Sequence, residues 1–179
     1  TWGNSKRDMN KHSIITIIAI IVIITPIAYS GLSIIGAHQL EYRWDNPGEF
    51  TFFTMLNQGE IEFCNAIPFW ITFQKFEIST FYQSEHLGSS TVQSLTIDPY
   101  SSTVKDAIFT SEGMPEAQHI FMTFDFMFNG GNIRLDPNQF IIVVDIDTPI
   151  LGIIPYSTTT QISGFELDKI MNSEDLSCN

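Results

Sequence analysis

Residues 14–29 read IITIIAIIVIITPIAY, and nine of the fourteen residues from Ile14 to Ile27 are isoleucine. No Asp, Glu, Lys or Arg occurs between Lys11 and Glu41. A helix needs about 20 consecutive apolar residues to cross roughly 30 Å of hydrocarbon, so residues 13–35 are predicted to form a transmembrane helix. Lys6, Arg7 and Lys11 precede this segment with Asp8 alone against them, whereas Glu41, Asp45 and Glu49 follow it with Arg43. Segments rich in Lys and Arg stay cytoplasmic; the expected orientation is N-terminus inside and main body outside, in the cell membrane. The competing reading is a cleaved secretory signal, because Ala28-Tyr29-Ser30 resembles a small-residue cleavage site. The apolar run is longer than a usual signal core, which favours the anchor.

Around the anchor the chain divides into a cytoplasmic segment 1–12, the helix 13–35, a juxtamembrane connector 36–47, one extracytoplasmic domain 48–168 and a tail 169–179. About 140 residues remain outside the helix, enough for a single hydrophobic core. The formal net charge is −12. Residues up to Lys11 hold three bases and one acid, so the remainder holds five bases against nineteen acids. A surface this acidic repels nucleic acid; no nucleic-acid partner is expected. Fifteen Phe and only 16% charged residues mark a core-forming chain and not a disordered acidic tail.

Short runs rich in Phe, Ile, Val and Thr, separated by Gly, Pro, Asn and Ser, predict an all-β domain of the immunoglobulin- or fibronectin-like sandwich kind. Strands are expected near 49–56, 60–65, 69–82, 91–97, 104–110, 117–128, 139–146 and 158–166. In the sixth, Ile120, Met122, Phe124, Phe126 and Phe128 form one apolar face, leaving His119, Phe121, Thr123, Asp125 and Met127 on the other. In the seventh, Phe140, Ile142, Val144 and Ile146 form the core face. The alternation slips in 69–82, from Ile71 and Phe73 to Phe76 and Ile78, and a bulge at Gln74-Lys75 restores it. Outside the anchor nothing reads as strongly helical, apart from one short turn within 165–176.

Two cysteines, Cys64 and Cys178, suit one disulfide in an oxidising exterior. Cys64 falls on the polar side of its strand with Glu60 and Glu62, within reach of Cys178. Two free thiols, or a bond from Cys178 to another chain, fit the sequence as well.

Four segments carry a family resemblance, one of them the Tyr82–Gly88 hairpin region with Leu87-Gly88. Ile61-Glu62-Phe63-Cys64-Asn65-Ala66-Ile67-Pro68-Phe69 is similar to the opening of a late-embryogenesis-abundant type 2 domain, also called the water-stress (WHy) domain. Thr96-Ile97-Asp98-Pro99-Tyr100-Ser101-Ser102 resembles its Ile-Pro turn, and Val143 to Pro155 its last core strand and loop. The chain departs from the pattern at Ala66, where the family has Pro, and at the Phe-rich run 120–128. The resemblance implies a β-sandwich with no catalytic residues. The isoleucine-rich anchor and acidic domain also resemble envelope proteins of ammonia-oxidising archaea, which implies an accessory place beside an ammonia monooxygenase complex or a surface-layer assembly.

No G-x-S-x-G, G-x-G-x-x-G, H-E-x-x-H or C-x-x-C occurs, so no enzyme activity, catalytic residue or cofactor is expected. Met114, His119 and Met122 faintly resemble a copper set, yet on a strand His119 and Met122 face opposite ways. Asp145 and Asp147 share a strand face and offer oxygens for calcium, but no dense D-x-D-x-D loop accompanies them. A stronger pattern is apolar: Phe121, Met127, Ile141 and Val143 lie opposite the core sets, and Ile150 and Leu151 lie in the loop PILGIIP. Clustered exposed apolar groups mark a partner or membrane contact. The expected function is a non-catalytic, single-pass, extracytoplasmic accessory subunit that contacts other membrane-protein subunits; the alternative is a copper- or calcium-binding module.

Overall fold

The computed structural model describes residues 11–111, 113–132, 135–151 and 153–178. The residues at 1–10 that set the expected orientation lie outside that range. The chain forms an N-terminal apolar helix and a curled antiparallel sheet of seven strands.

Helix α1 (Lys11–His38) is 28 residues long, about 42 Å at 1.5 Å per residue. From Ser13 to Tyr29 its side chains are exposed; beyond that, Ser30, Ser33, Gly36 and Ala37 are buried. These four lie three or four residues apart, on one helix face. Ser33 Oγ donates to the Thr72 carbonyl at 3.2 Å, and the Leu151 amide donates to Ser30 Oγ at 2.8 Å. A Cβ on Gly36 would sit 2.8 Å from Cγ1 of Ile71, so the close approach requires glycine there. The last turns of α1 are thus part of the domain. The connector expected at 36–47 instead holds the first strand of the sheet, β1 (Glu41–Trp44).

Next come α2 (Phe52–Met55), β2 (Gly59–Asn65), β3 (Ile71–Tyr82), β4 (Glu85–Ile97) and β5 (Ser101–Thr110). After them lie α3 (Met114–Phe128), β6 (Phe140–Ile150), β7 (Ile154–Ser163) and α4 (Gly164–Met171). The strand order is β1-β2-β5-β4-β3-β6-β7. Strand β5 makes the sheet curl: residues 101–107 pair with β2, and residues 108–110 with β4. Phe63 of β2 therefore meets Phe73 and Phe76 of β3 across the interior, with ring centroids 5.3 and 5.0 Å apart.

Several expectations need correction. Residues 117–128 are helical, because Ala117, Phe121, Phe124 and Met127 recur at helical spacing and are the buried set. Pro115 and Glu116 in the first turn are ordinary helix-start residues. Part of 49–56 is the short helix α2, capped by Thr51, and 165–176 contributes to α4. In β3 the register shift falls between Thr80 and Phe81. At Gln74 both strands advance together, Phe73 opposite Leu95 and Lys75 opposite Gln93, so the burial pattern slips without a bulge. In β6 the alternation holds as read, with Phe140, Ile142, Val144 and Ile146 buried.

One end of the core is aromatic. Phe52 is fully buried among Phe121, Phe124, Phe128 and Phe140, and the Phe124 and Phe140 rings lie 3.8 Å apart. Helix α3 and α2 close this end of the curled sheet, beside the β3–β4 turn and the start of β6. The other end, where α1 docks, holds the start of β3, the β4–β5 turn and the β6–β7 turn.

Candidate functional site

The surface at the helical end is built from the face of α3 that points away from the core. Met122 is 57% exposed and Phe126, one turn on, 60%. Phe53 of α2 and Phe165 of α4 are also exposed, and Phe165 packs edge-on against Phe128 at 4.8 Å. Asp125 stands between Met122 and Phe126 along the helix, and its carboxylate accepts the amides of Phe52 and Phe53 at 2.8 and 2.9 Å. That clamp fixes α2 against α3 and holds Phe53 beside the exposed face. Burial pushes the Asp125 carboxyl up from its ordinary value, opposed by the two amides and Thr51. Asp168 is raised by its own burial and by the negative charge of Asp125.

Of the six residues expected to form a partner surface, Phe121 and Met127 are buried, at 0% and 7% exposure, because the helix reverses the faces assigned to a strand. Ile141 and Val143 are half-buried on the outer face of β6, opposite Phe81 and Ser79 of β3. Ile150 is half-buried at the end of β6, and Leu151 is exposed in the turn that follows. Met122 and Phe126, assigned to a core by alternation, are exposed instead. The helix-start residues before them were the signal that could have found them.

Asp145 and Asp147 do share a face. Asp145 accepts the Thr159 hydroxyl, and Asp147 the Ser157 hydroxyl. Lys75 lies directly opposite Asp147, Glu77 opposite Asp145, and Lys75 bonds Glu77. Its hydrogen bond to Glu77 raises the Lys75 ammonium, against its partial burial, with Asp147 and Asp145 adding to the rise. A resident ammonium and occupied oxygens are poor surroundings for calcium. Partial burial pushes Glu77 up, but hydrogen bonds from Lys75 and Ser89 outweigh it and leave its carboxyl lowered.

His119 is exposed on α3, and the helix places Met122 on its side, one turn away, contrary to the strand reading. Among the described residues, no three His, Cys, Asp or Glu side chains gather to hold a metal ion. His86, isolated in sequence, meets Ser89 Oγ at 3.0 Å and the Phe81 ring at 5.1 Å. Ser89 is buried and also bonds Ser79, which denies it the exposure a nucleophile needs.

Cys64 and Cys178 form a disulfide. Cys64 is fully buried and not on an open polar face, because the tail lies over β1 and β2. Arg43 makes a buried ion pair with Glu62 at 2.7 Å and donates to the carbonyls of Ser173 and Glu174. Glu41 accepts the Ser177 amide and hydroxyl.

No protein-family model matches this chain, and no curated protein matches it. A crystal structure of a protein from Archaeoglobus fulgidus is similar over 70% of this chain and 91% of its own, with 13% identity and a TM-score of 0.35. Likeness at that level carries no argument about fold type or role.

Proposed function

We propose that this chain is a non-catalytic accessory subunit, anchored in a membrane by α1 with its N-terminus inside, which binds a neighbouring protein through the exposed face of α3. The finer fold reading belongs with this proposal: a β-sandwich of the late-embryogenesis-abundant type 2 kind, curled so that β5 serves both halves. A place in an archaeal envelope, beside an ammonia monooxygenase complex or a surface layer, is the setting that the sequence resemblance offers for it. The observation that carries the partner role is the pair Met122 and Phe126, two large apolar side chains on one helix face, more than half exposed, with Phe53 and Phe165 also bare at that end. Apolar clusters of this kind on an otherwise acidic protein are features of interfaces. Permanent anchoring is supported by the docked turns of α1. A signal peptidase cutting after Ser30 would remove the hydroxyl that receives the Leu151 amide.

The test is gentle detergent extraction of native membranes, size separation and mass spectrometry of whatever migrates with the chain. Co-migration with another membrane protein is expected, and it should be lost in Phe126→Asp while the variant stays folded. Migration alone, or co-migration unchanged in Phe126→Asp, sinks the reading.

A further inference from the structure

We infer that the β6–β7 turn, with the β4–β5 turn and Trp70 beside it, forms a second membrane contact that rests in the outer interface of the bilayer α1 crosses. The inference rests on the anchor reading above. The turn lies where α1 leaves the domain: the Leu151 amide bonds Ser30, the first buried helix residue, while Tyr29, the residue before it, is exposed. The apolar side chains beyond Leu151 have no cover. Ile153 is 86% exposed, and Ile154 is more than half exposed. Such a tip projecting beside an exposed, isoleucine-rich helix is continuous with the surface that the helix presents to lipid.

Two further observations point to the same occupant. The first is charge: in a chain with twenty acidic residues, 65–73 and 148–161 contain no charged residue. Within 97–103 there is only Asp98, whose carboxylate accepts the Trp70 indole N–H at 2.9 Å. Trp70 and Tyr100 are exposed at this end, as is usual for aromatics at a membrane–water interface. The second is backbone conformation. Leu151 and Tyr100 both occupy left-handed positions, with φ of 54° and 50°, which favour Gly or Asn. The β3–β4 turn at the other end also uses left-handed positions, but fills them with Gln83 and Ser84. Among the described residues, bulky apolar and aromatic groups are thus kept at strained turn positions only where the helix emerges, which links the strain to use of the side chains. A lipid interface takes both the apolar tip and the amphipathic rings.

The native cysteines are bonded to each other, so a cysteine added to the full chain is its one free thiol. Ile21→Cys, Ile153→Cys and Ser84→Cys are labelled singly with an environment-sensitive fluorophore. Each is then reconstituted alone into phosphatidylcholine vesicles doped with lipid carrying a spin label on its acyl chain. The expected result is blue-shifted, strongly quenched emission at positions 21 and 153, and unquenched emission at 84. Tyr100→Cys serves as a second reporter of the same contact should the label at 153 disturb its turn. Quenching at 21 with 153 and 100 matching 84 overturns the inference and leaves the anchor standing. Loss of quenching at 21 overturns the anchor, and this contact with it. Because the vesicles hold no other protein, quenching at 153 assigns the contact to lipid and not to a partner subunit.

Discussion

Asp125 caps α2 with both carboxylate oxygens, and Asp168 places a second negative charge near it. Both carboxyls are raised in the folded chain. Folding therefore binds protons more readily than the unfolded chain does, and this contribution to stability is lost as pH rises from about 3.9, the ordinary Asp value, through the raised folded values. Asp168→Asn keeps the acceptor for Asn172 and removes the charge; its urea midpoint at neutral pH should exceed that of the parent, with a smaller drop between pH 4 and pH 7. An equal drop in both proteins would place the loss of stability with rising pH elsewhere. Thr148, on the buried face of β6, has a side-chain hydroxyl with no partner among the described residues. A buried unsatisfied hydroxyl costs about 1–3 kcal/mol, so Thr148→Val, similar in shape, should stabilise by about 1 kcal/mol in chemical denaturation.

Among the elements, β6 and α3 show what a sequence can and cannot settle. The run Phe140 to Ile146 alternates cleanly, and its buried set was legible residue by residue. Residues 120–128 are apolar at so many positions that periods of 2 and 3.6 fit them equally; only the flanks decide, Gly113 to Glu116 before and Asn129-Gly130-Gly131 after. A period of 2 would bury Met122 and Phe126 and expose Phe121 and Met127, the inverse of the surface observed. The inversion has a direct test. Phe124→Ala should cost about 3–5 kcal/mol, and Phe126→Ala, on the open face, no more than about 0.5 kcal/mol. Similar losses for the two would put the wrong face of α3 inside.

For the molecule as a whole, the N-terminal apolar helix could be read from composition, and the Cys64–Cys178 bond was one of the pairings the sequence allowed, but the curl of the sheet could not be read. Sharing β5 between β2 and β4 depends on pairings far apart in sequence, and no local pattern encodes which strand lies beside which. The disulfide spans 114 residues; in the chain-entropy picture such a closure contributes about 4–5 kcal/mol. Reduction should lower the denaturation midpoint by a matching amount, and an unchanged midpoint would mean that Arg43 and the tail contacts suffice alone. The same bond has a practical consequence for anyone labelling the protein. It brings Cys178 beside Cys64, opposite Glu41 in register and three residues beyond the end of α1. A reporter attached to the tail would therefore begin at the end of the domain where α1 docks, against β1 and β2, whereas one inserted at Gln83-Ser84 would stand at the opposite end of the sheet.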